Sequence, residues 1–193
     1  ILTGYDAVYD FSDANVLAVD AQDLFPDDGV QLYSIKTFGS QSIDRALLDA
    51  AGVTIMTGGP LASIFHRVIE GHTKILPEVD TLVYEDGMGV SGWVSGHRVL
   101  IGNRMLMENH GISMPAAEFE KKYTRDGKYA VFLSTMGVLS AMFLISYQPS
   151  AQMKDALQRA VNSGLSLSVY SCDPNITQEM LSETFDLPRN AIK

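Results

Sequence analysis

Gly87 to Asn103 read GMGVSGWVSGHRVLIGN, and the fold turns on whether these glycines open a helix or close a hairpin. GMGVSG matches the G-x-G-x-x-G pattern of a dinucleotide-binding turn, which works only with a strand before it and a helix after it, because pyrophosphate rests on the helix N-terminus. The continuation WVSGHRVLIGN instead alternates at period two and carries no helix-length apolar stripe. Without that helix the dipole that would hold phosphate is missing, and the stretch reads as strand, turn, strand. For the glycine pair itself two readings stay open. Gly87 and Gly89 either let backbone approach a flat ligand where a Cβ would clash, or only shape a hairpin turn with a bulge.

Working outward, TLVYED precedes this stretch and completes an antiparallel meander with SGWVSG and HRVLIGN. Met105 to Asn109 starts a helical turn, and PAAEFEKKY gives another short helix. YAVFLST and VLSAMFLIS form a hairpin across Met136 and Gly137. On the N-terminal side VQLYSIKTF is a strand. Ser42 then caps a helix in which Ile43, Ala46, Leu47 and Ala50 keep helical spacing, and TGGP breaks it. Pro60 suits the first turn of a second helix with the stripe Leu61, Ile64, Phe65, Val68 and Ile69, ending at Gly71. His66 falls between stripe positions and is expected on the solvent side.

The two ends of the chain have a different pattern. Val16 to Val19 is a short apolar run closed by Asp20 and the turn-rich FPDDG, a buried strand delivering an acid to its C-terminal end. After Pro149, MKDALQRAVNSG, LSLSVYS and ITQEMLSETF read as helix, strand and helix, which implies parallel pairing. The expected fold class is therefore α/β, a partial parallel sheet, with an inserted α+β domain built on an antiparallel sheet flanked by helices. The insertion covers about residues 27–145, leaving 1–26 and 146–193 as two segments of one α/β domain.

Composition narrows the function. An apolar fraction of 46% and a charged fraction of 19% over 193 residues describe a folded globular chain. A net charge of −9 lacks the basic footprint of a nucleic-acid or anionic-membrane binder. Cys172 stands alone, which excludes an internal disulfide and a zinc knuckle, and it is expected as a small buried hydrophobe at a strand end. No apolar run reaches the ~18 residues of a spanning helix, so the chain as given is expected to be soluble. The Asn175 to Thr177 sequon has no meaning in a cytosolic protein. Nine methionines at largely helical spacing are expected as core filler.

The block GMGVSGWVSGHRVLIGNRMLMENHGI resembles the nucleotide-binding domain of heavy-metal (P1B-type) P-type ATPases. Gly87, Gly89, Val90, Gly102, Asn103, Leu106, Met107, Gly111 and Ile112 fall in step with that family's pattern. Other segments follow in family order. Ile1-Leu2 with Gly4 looks like the segment after a transmembrane helix, and VLAVDAQDLFP looks like the strand bearing the phosphorylated aspartate. TGGPLA occupies the place of Ser-Glu-His-Pro-Leu, and VYSCDP that of Thr-Gly-Asp-Asn.

The resemblance implies a haloacid-dehalogenase-like phosphorylation domain with the nucleotide domain inserted. It also implies ATP against Gly87, Gly89, Gly102 and Asn103, with Asp20 as phosphoacceptor and a tentative Mg²⁺ ligand. Asp173 matches the family's catalytic aspartate, and Ser171, in place of the family's Thr-Gly pair, could still bind phosphate by donating a hydrogen bond to it. The implied partners are the transmembrane and actuator parts of the same polypeptide, on the cytoplasmic side of a cell membrane, with no nucleic acid. Transported metal and oligomeric state are not fixed by the sequence.

Departures from the family pattern are concentrated in the motifs. After Asp20 the chain has Ala21-Gln22-Asp23-Leu24 where Lys-Thr-Gly-Thr is expected. Gly59 replaces the histidine, Thr54 the glutamate, Tyr147 an aspartate, and Ser171-Cys172 a Thr-Gly pair. The chain ends at Lys193, before the glycine-aspartate-rich Mg²⁺ segment, and so is expected to be a fragment. Two functional expectations follow: a domain that keeps the fold with impaired nucleotide binding and phosphorylation, including a regulatory or interaction module, or a competent ATP-hydrolysing domain in the full-length transporter.

Overall fold

The computed structural model describes residues 13–26, 28–70 and 72–193. Its strands are β1 (Val16–Asp20), β2 (Val30–Thr37), β3 (Val79–Glu85), β4 (Gly89–Val94), β5 (His97–Gly102), β6 (Lys128–Thr135), β7 (Val138–Tyr147) and β8 (Ser166–Tyr170). Six of them form one antiparallel sheet in the order β2-β7-β6-β5-β4-β3. The meander that contains the glycine motif supplies β3, β4 and β5. Gly92 lies in the middle of β4, so no helix springs from the motif.

Both faces of this sheet are covered, and the period-two alternation of the strands sorts residues between them. On one face lie α1 (Ile43–Thr57) and α2 (Gly59–Val68). The Ser42 side chain caps α1 by accepting from the Arg45 amide at 3.2 Å. Gly58, at φ 72°, ends α1 and precedes α2, whose first turn holds Pro60. Ala46, Ala50, Val53, Leu61, Ile64 and Phe65 pack on Val90, Val94, Val99, Val131 and Phe143. Phe65 meets Phe143 edge-on, with ring centres 5.1 Å apart.

Ile43 and Val68 are exposed, contrary to the expected stripes, because they sit in the outermost turns of their helices. The expected stop at Gly71 lies outside the described residues, and α2 already ends at Val68. On the other face α3 (Arg104–Asn109) and α4 (Ala117–Tyr123) cover Leu100, Phe132, Met142 and Leu144 with Leu106, Met107 and Phe119.

β1 and β8 pair in parallel, and Asp20 lies opposite Tyr170. A parallel bridge from Leu167 to Ile192 starts a third position beside β8. α5 (Ala151–Asn162) and α6 (Gln178–Phe185) pack here through Leu157, Met180, Leu181 and Phe185. The two crossings between sheets touch each other: the Gln148 amide donates to the Gly29 carbonyl at 2.7 Å. A Cβ at Gly29 would stand 2.4 Å from the Gln148 carbonyl oxygen, which is why this crossing takes glycine. Phe25 bridges the regions, 5.5 Å from the Tyr147 ring and 5.8 Å from Phe185.

Cys172 departs from expectation. β8 stops at Tyr170, so the thiol hangs in the following loop, half-buried, with Sγ 3.9 Å from the Tyr170 hydroxyl. The Ile1-Leu2 and Gly4 segment lies outside the described residues. Among the described residues no helix is long and apolar enough to cross a membrane.

Candidate functional site

The three glycines singled out by sequence do different jobs. Gly89 and Gly102 are register partners on β4 and β5. A Cβ on Gly102 would stand 2.2 Å from the Met88 carbonyl oxygen, and one on Gly89 would stand 2.3 Å from that of Ile101. Their missing side chains are thus replaced by the protein's own backbone, and the two positions exist for strand-to-strand approach. Gly87 differs. At φ 66° it sits in the turn with nothing within 4 Å of a Cβ, leaving its backbone open to a ligand.

Asn103 holds that turn. Its Oδ1 accepts from the Leu106 amide at 3.1 Å, capping α3, while its Nδ2 donates to the Gly87 carbonyl at 2.9 Å. The backbone N–H of Asn103 also donates to the Met88 carbonyl at 2.9 Å. Glu85, the last residue of β3, makes a 2.6 Å contact to His110 Nε2, and Arg98 lies 3.1 Å from His110 Nδ1. Sequence reasoning missed Glu85, Arg98 and His110. They are brought together from three elements, and no local spacing signals it.

The opposite wall is the loop after β8. Ser171 Oγ accepts from the Asp173 amide at 3.0 Å, a bond that fixes the turn and leaves the O–H as a donor toward the cleft. Asp173 is buried. Its Oδ1 accepts from the Asn175 amide at 3.0 Å, and its Oδ2 accepts from the Tyr147 hydroxyl at 2.5 Å. Burial pushes the Asp173 carboxyl up to about 6 against the lowering effect of those two donors. Burial, then the adjacent carboxylate, pushes the Tyr147 phenol well up. Asn175 is buried as well and donates to the Tyr147 oxygen at 3.2 Å, so the sequon asparagine is committed to this network.

Asp20 is exposed at the end of β1. Its Oδ1 accepts from the Gln22 amide at 2.8 Å, capping a 3-10 turn over Ala21–Leu24. Ala21, at the expected lysine position, is fully buried. Asp20 and the Ser171–Asp173 loop therefore follow the C-terminal ends of adjacent parallel strands.

α1 runs along β4: Arg45 lies 3.2 Å from His97, and a Cβ on Gly92 would come within 3.7 Å of Val53. Its C-terminal end, with Thr54, and the start of α2 at Gly59 therefore point toward the Gly89 end. Thr54 Oγ1 donates to the Ala50 carbonyl of its own helix at 2.8 Å and offers nothing outward. Gly59 leaves open space where the resemblance expects an imidazole.

Between the glycine turn and the β8 loop lies a cleft of about 330 Å³. Its ionisable lining includes Glu85, Asp86 and Asp173, and among the described residues it holds no Lys, Arg or His. A second groove of about 460 Å³ lies between Gln22 and the α1–α2 junction and includes His66, which is solvent-exposed as expected. Among the described residues no group of three or more His, Cys, Asp or Glu could hold a metal by itself, and both carboxylate oxygens of Asp173 accept internal bonds, so the carboxylate open to a Mg²⁺ ion shared with phosphates is that of exposed Asp20.

No protein-family model matches the chain. It is 24% identical over 171 residues to the copper-exporting P-type ATPase of Staphylococcus aureus strain Newman, covering 75% of this chain and 21% of that protein. The same protein of strain USA300 gives the same figures. Among solved structures, the N-domain of a copper-transporting P-type ATPase is covered completely by 62% of this chain, with a TM-score of 0.51 and 17% identity. The chain is a relative of the heavy-metal P-type ATPases.

Its six-stranded sheet with flanking helices has the fold of the heavy-metal P-type ATPase nucleotide-binding domain. The catalytic domain of a CPx-ATPase, CopB-B, takes in 97% of this chain, with a TM-score of 0.57 and 16% identity. This heavy-metal P-type ATPase relative spans about a fifth of the length of the curated proteins it matches.

Proposed function

We propose that the chain is the cytoplasmic ATP-binding and phosphorylation region of a heavy-metal P-type ATPase-like membrane protein, with nucleotide binding and phosphorylation impaired. Residues 27–145 are its nucleotide domain, and 1–26 with 146–193 are segments of a haloacid-dehalogenase-like domain. The parallel pairing of β1 with β8 and the bridge at Ile192 support that assignment. The transmembrane and actuator parts would lie elsewhere in the same polypeptide.

The observation that carries impairment is the cleft itself. Phosphoryl transfer is mainly positioning and charge neutralisation. Here the cleft brings carboxylates and no cation to the place where phosphates would lie. Gly87 backbone can still approach a nucleotide. Asp20 keeps the phosphoacceptor position, but buried Ala21 supplies no ammonium beside it, and Asp173 engages both carboxylate oxygens internally.

Titrating ATP with Mg²⁺ into the 193-residue chain is expected to give binding no tighter than about millimolar, each lost pocket contact removing roughly 1 kcal/mol. Sub-micromolar affinity by calorimetry would refute the reading. The exposed carboxylate of Asp20 at a strand end favours the competent alternative. Beryllium fluoride with Mg²⁺ separates the two. No thermal stabilisation is expected, and a clear shift abolished by Asp20→Asn would establish a working acceptor.

A further inference from the structure

We propose that the cleft between the β3–β4 turn and the loop after β8 binds small organic cations, seating an ammonium or guanidinium group between Tyr84 and Tyr170. This inference goes beyond the ATPase reading and does not depend on it. Tyr84, the next-to-last residue of β3, and Tyr170, the last residue of β8, line the cleft from opposite walls. They are 53% and 70% exposed, a large aromatic surface left in solvent at two positions that line one cleft. The electron-rich face of a phenol ring attracts a cation, and two such faces across a cleft make a clamp.

The charges point the same way. Asp86 is exposed in the turn and makes no ion pair among the described residues, and Asp20 lies opposite Tyr170 in the strand register. Glu85 is paired with His110, which Arg98 contacts, and leaves the net charge to Asp86 and Asp20. Among the described residues no lysine, arginine or histidine lines the cleft. Met88, Pro174 and Ile176 supply apolar lining against which methyl or methylene groups can pack. A volume of about 330 Å³ suits a small alkylammonium or one guanidinium-bearing side chain. A polyphosphate meets repulsion in the same place.

The test uses the whole chain and four probes: tetramethylammonium, spermidine, inorganic phosphate and ATP with Mg²⁺. Amide resonances are followed by NMR. Tetramethylammonium and spermidine are expected to move the signals of Tyr84 to Met88 and of Tyr170 to Cys172 saturably, at millimolar concentrations. Tyr84→Leu and Tyr170→Leu, both at exposed positions, should each weaken binding roughly fivefold. Asp86→Asn should weaken it about twofold, and the loss should vanish at high salt.

Absence of saturable shifts, or shifts indifferent to both tyrosine substitutions, would overturn the proposal. So would tighter binding of phosphate or ATP at the same amides. If no probe binds, the cation site is refuted while the impaired-ATPase reading stands. If ATP binds tightly, both fail.

Discussion

Gly102→Ala is expected to destabilise the chain by about 3 kcal/mol or more, because overpacking against rigid backbone has no cheap relief. The new methyl carbon would start 2.2 Å from the Met88 carbonyl oxygen and 2.6 Å from Leu106 Cδ2. The leucine can rotate, but the carbonyl belongs to the glycine turn that Asn103 holds on two sides. At this chain length such a loss lowers the melting temperature by roughly 6 to 12 °C. Gly87→Ala is the control. Its φ of 66° is strained for alanine, by about 1 kcal/mol, but its surroundings are empty. If urea unfolding found the two variants equally stable, the account of Gly102 as a strand-packing residue would fail.

The second expected result concerns Asp173. Its folded pKa of about 6 lies above the ordinary 3.8, so the native state holds this proton more tightly than the unfolded chain does. The contribution from this group is fully present below about pH 4 and is lost as pH rises through about 6. A shift of about two units corresponds to about 3 kcal/mol. Asp173→Asn keeps an oxygen for the Asn175 amide and cannot ionise. Unfolding free energies measured from about pH 4 to about pH 7 should therefore fall for the parent relative to the variant, by up to about 3 kcal/mol. Parallel pH profiles would show that Asp173 is ionised at little expense, and the buried-network description would be wrong.

Much of the architecture was legible because it is written locally. Ser42, the Thr57 to Pro60 break and the period-two runs from Val79 to Gly102 each act within a few residues, and caps, breakers and alternation need no tertiary knowledge. The site was less legible. Spacing could flag Gly89, and the family resemblance Gly102, but neither could reveal that their absent Cβ atoms make room for backbone rather than for a ligand. The contact of Tyr147 with Asp173 spans 26 residues and joins a strand end to a loop, so nothing in either segment announces it. Cys172 was misjudged by two residues of strand length, enough to move a thiol out of the interior.

β7 runs on through Tyr147, so the last residue of the antiparallel sheet reaches into the β1–β8 region and grips Asp173 there. Together with the Gln148 to Gly29 tie across the paired crossings, this makes the junction a latch rather than a swivel. Any swing of one lobe about the other must first tear a phenol from a carboxylate in a dry interior. Because burial favours the neutral carboxyl, raising the pH through about 6 would loosen this latch and let the two lobes part more freely.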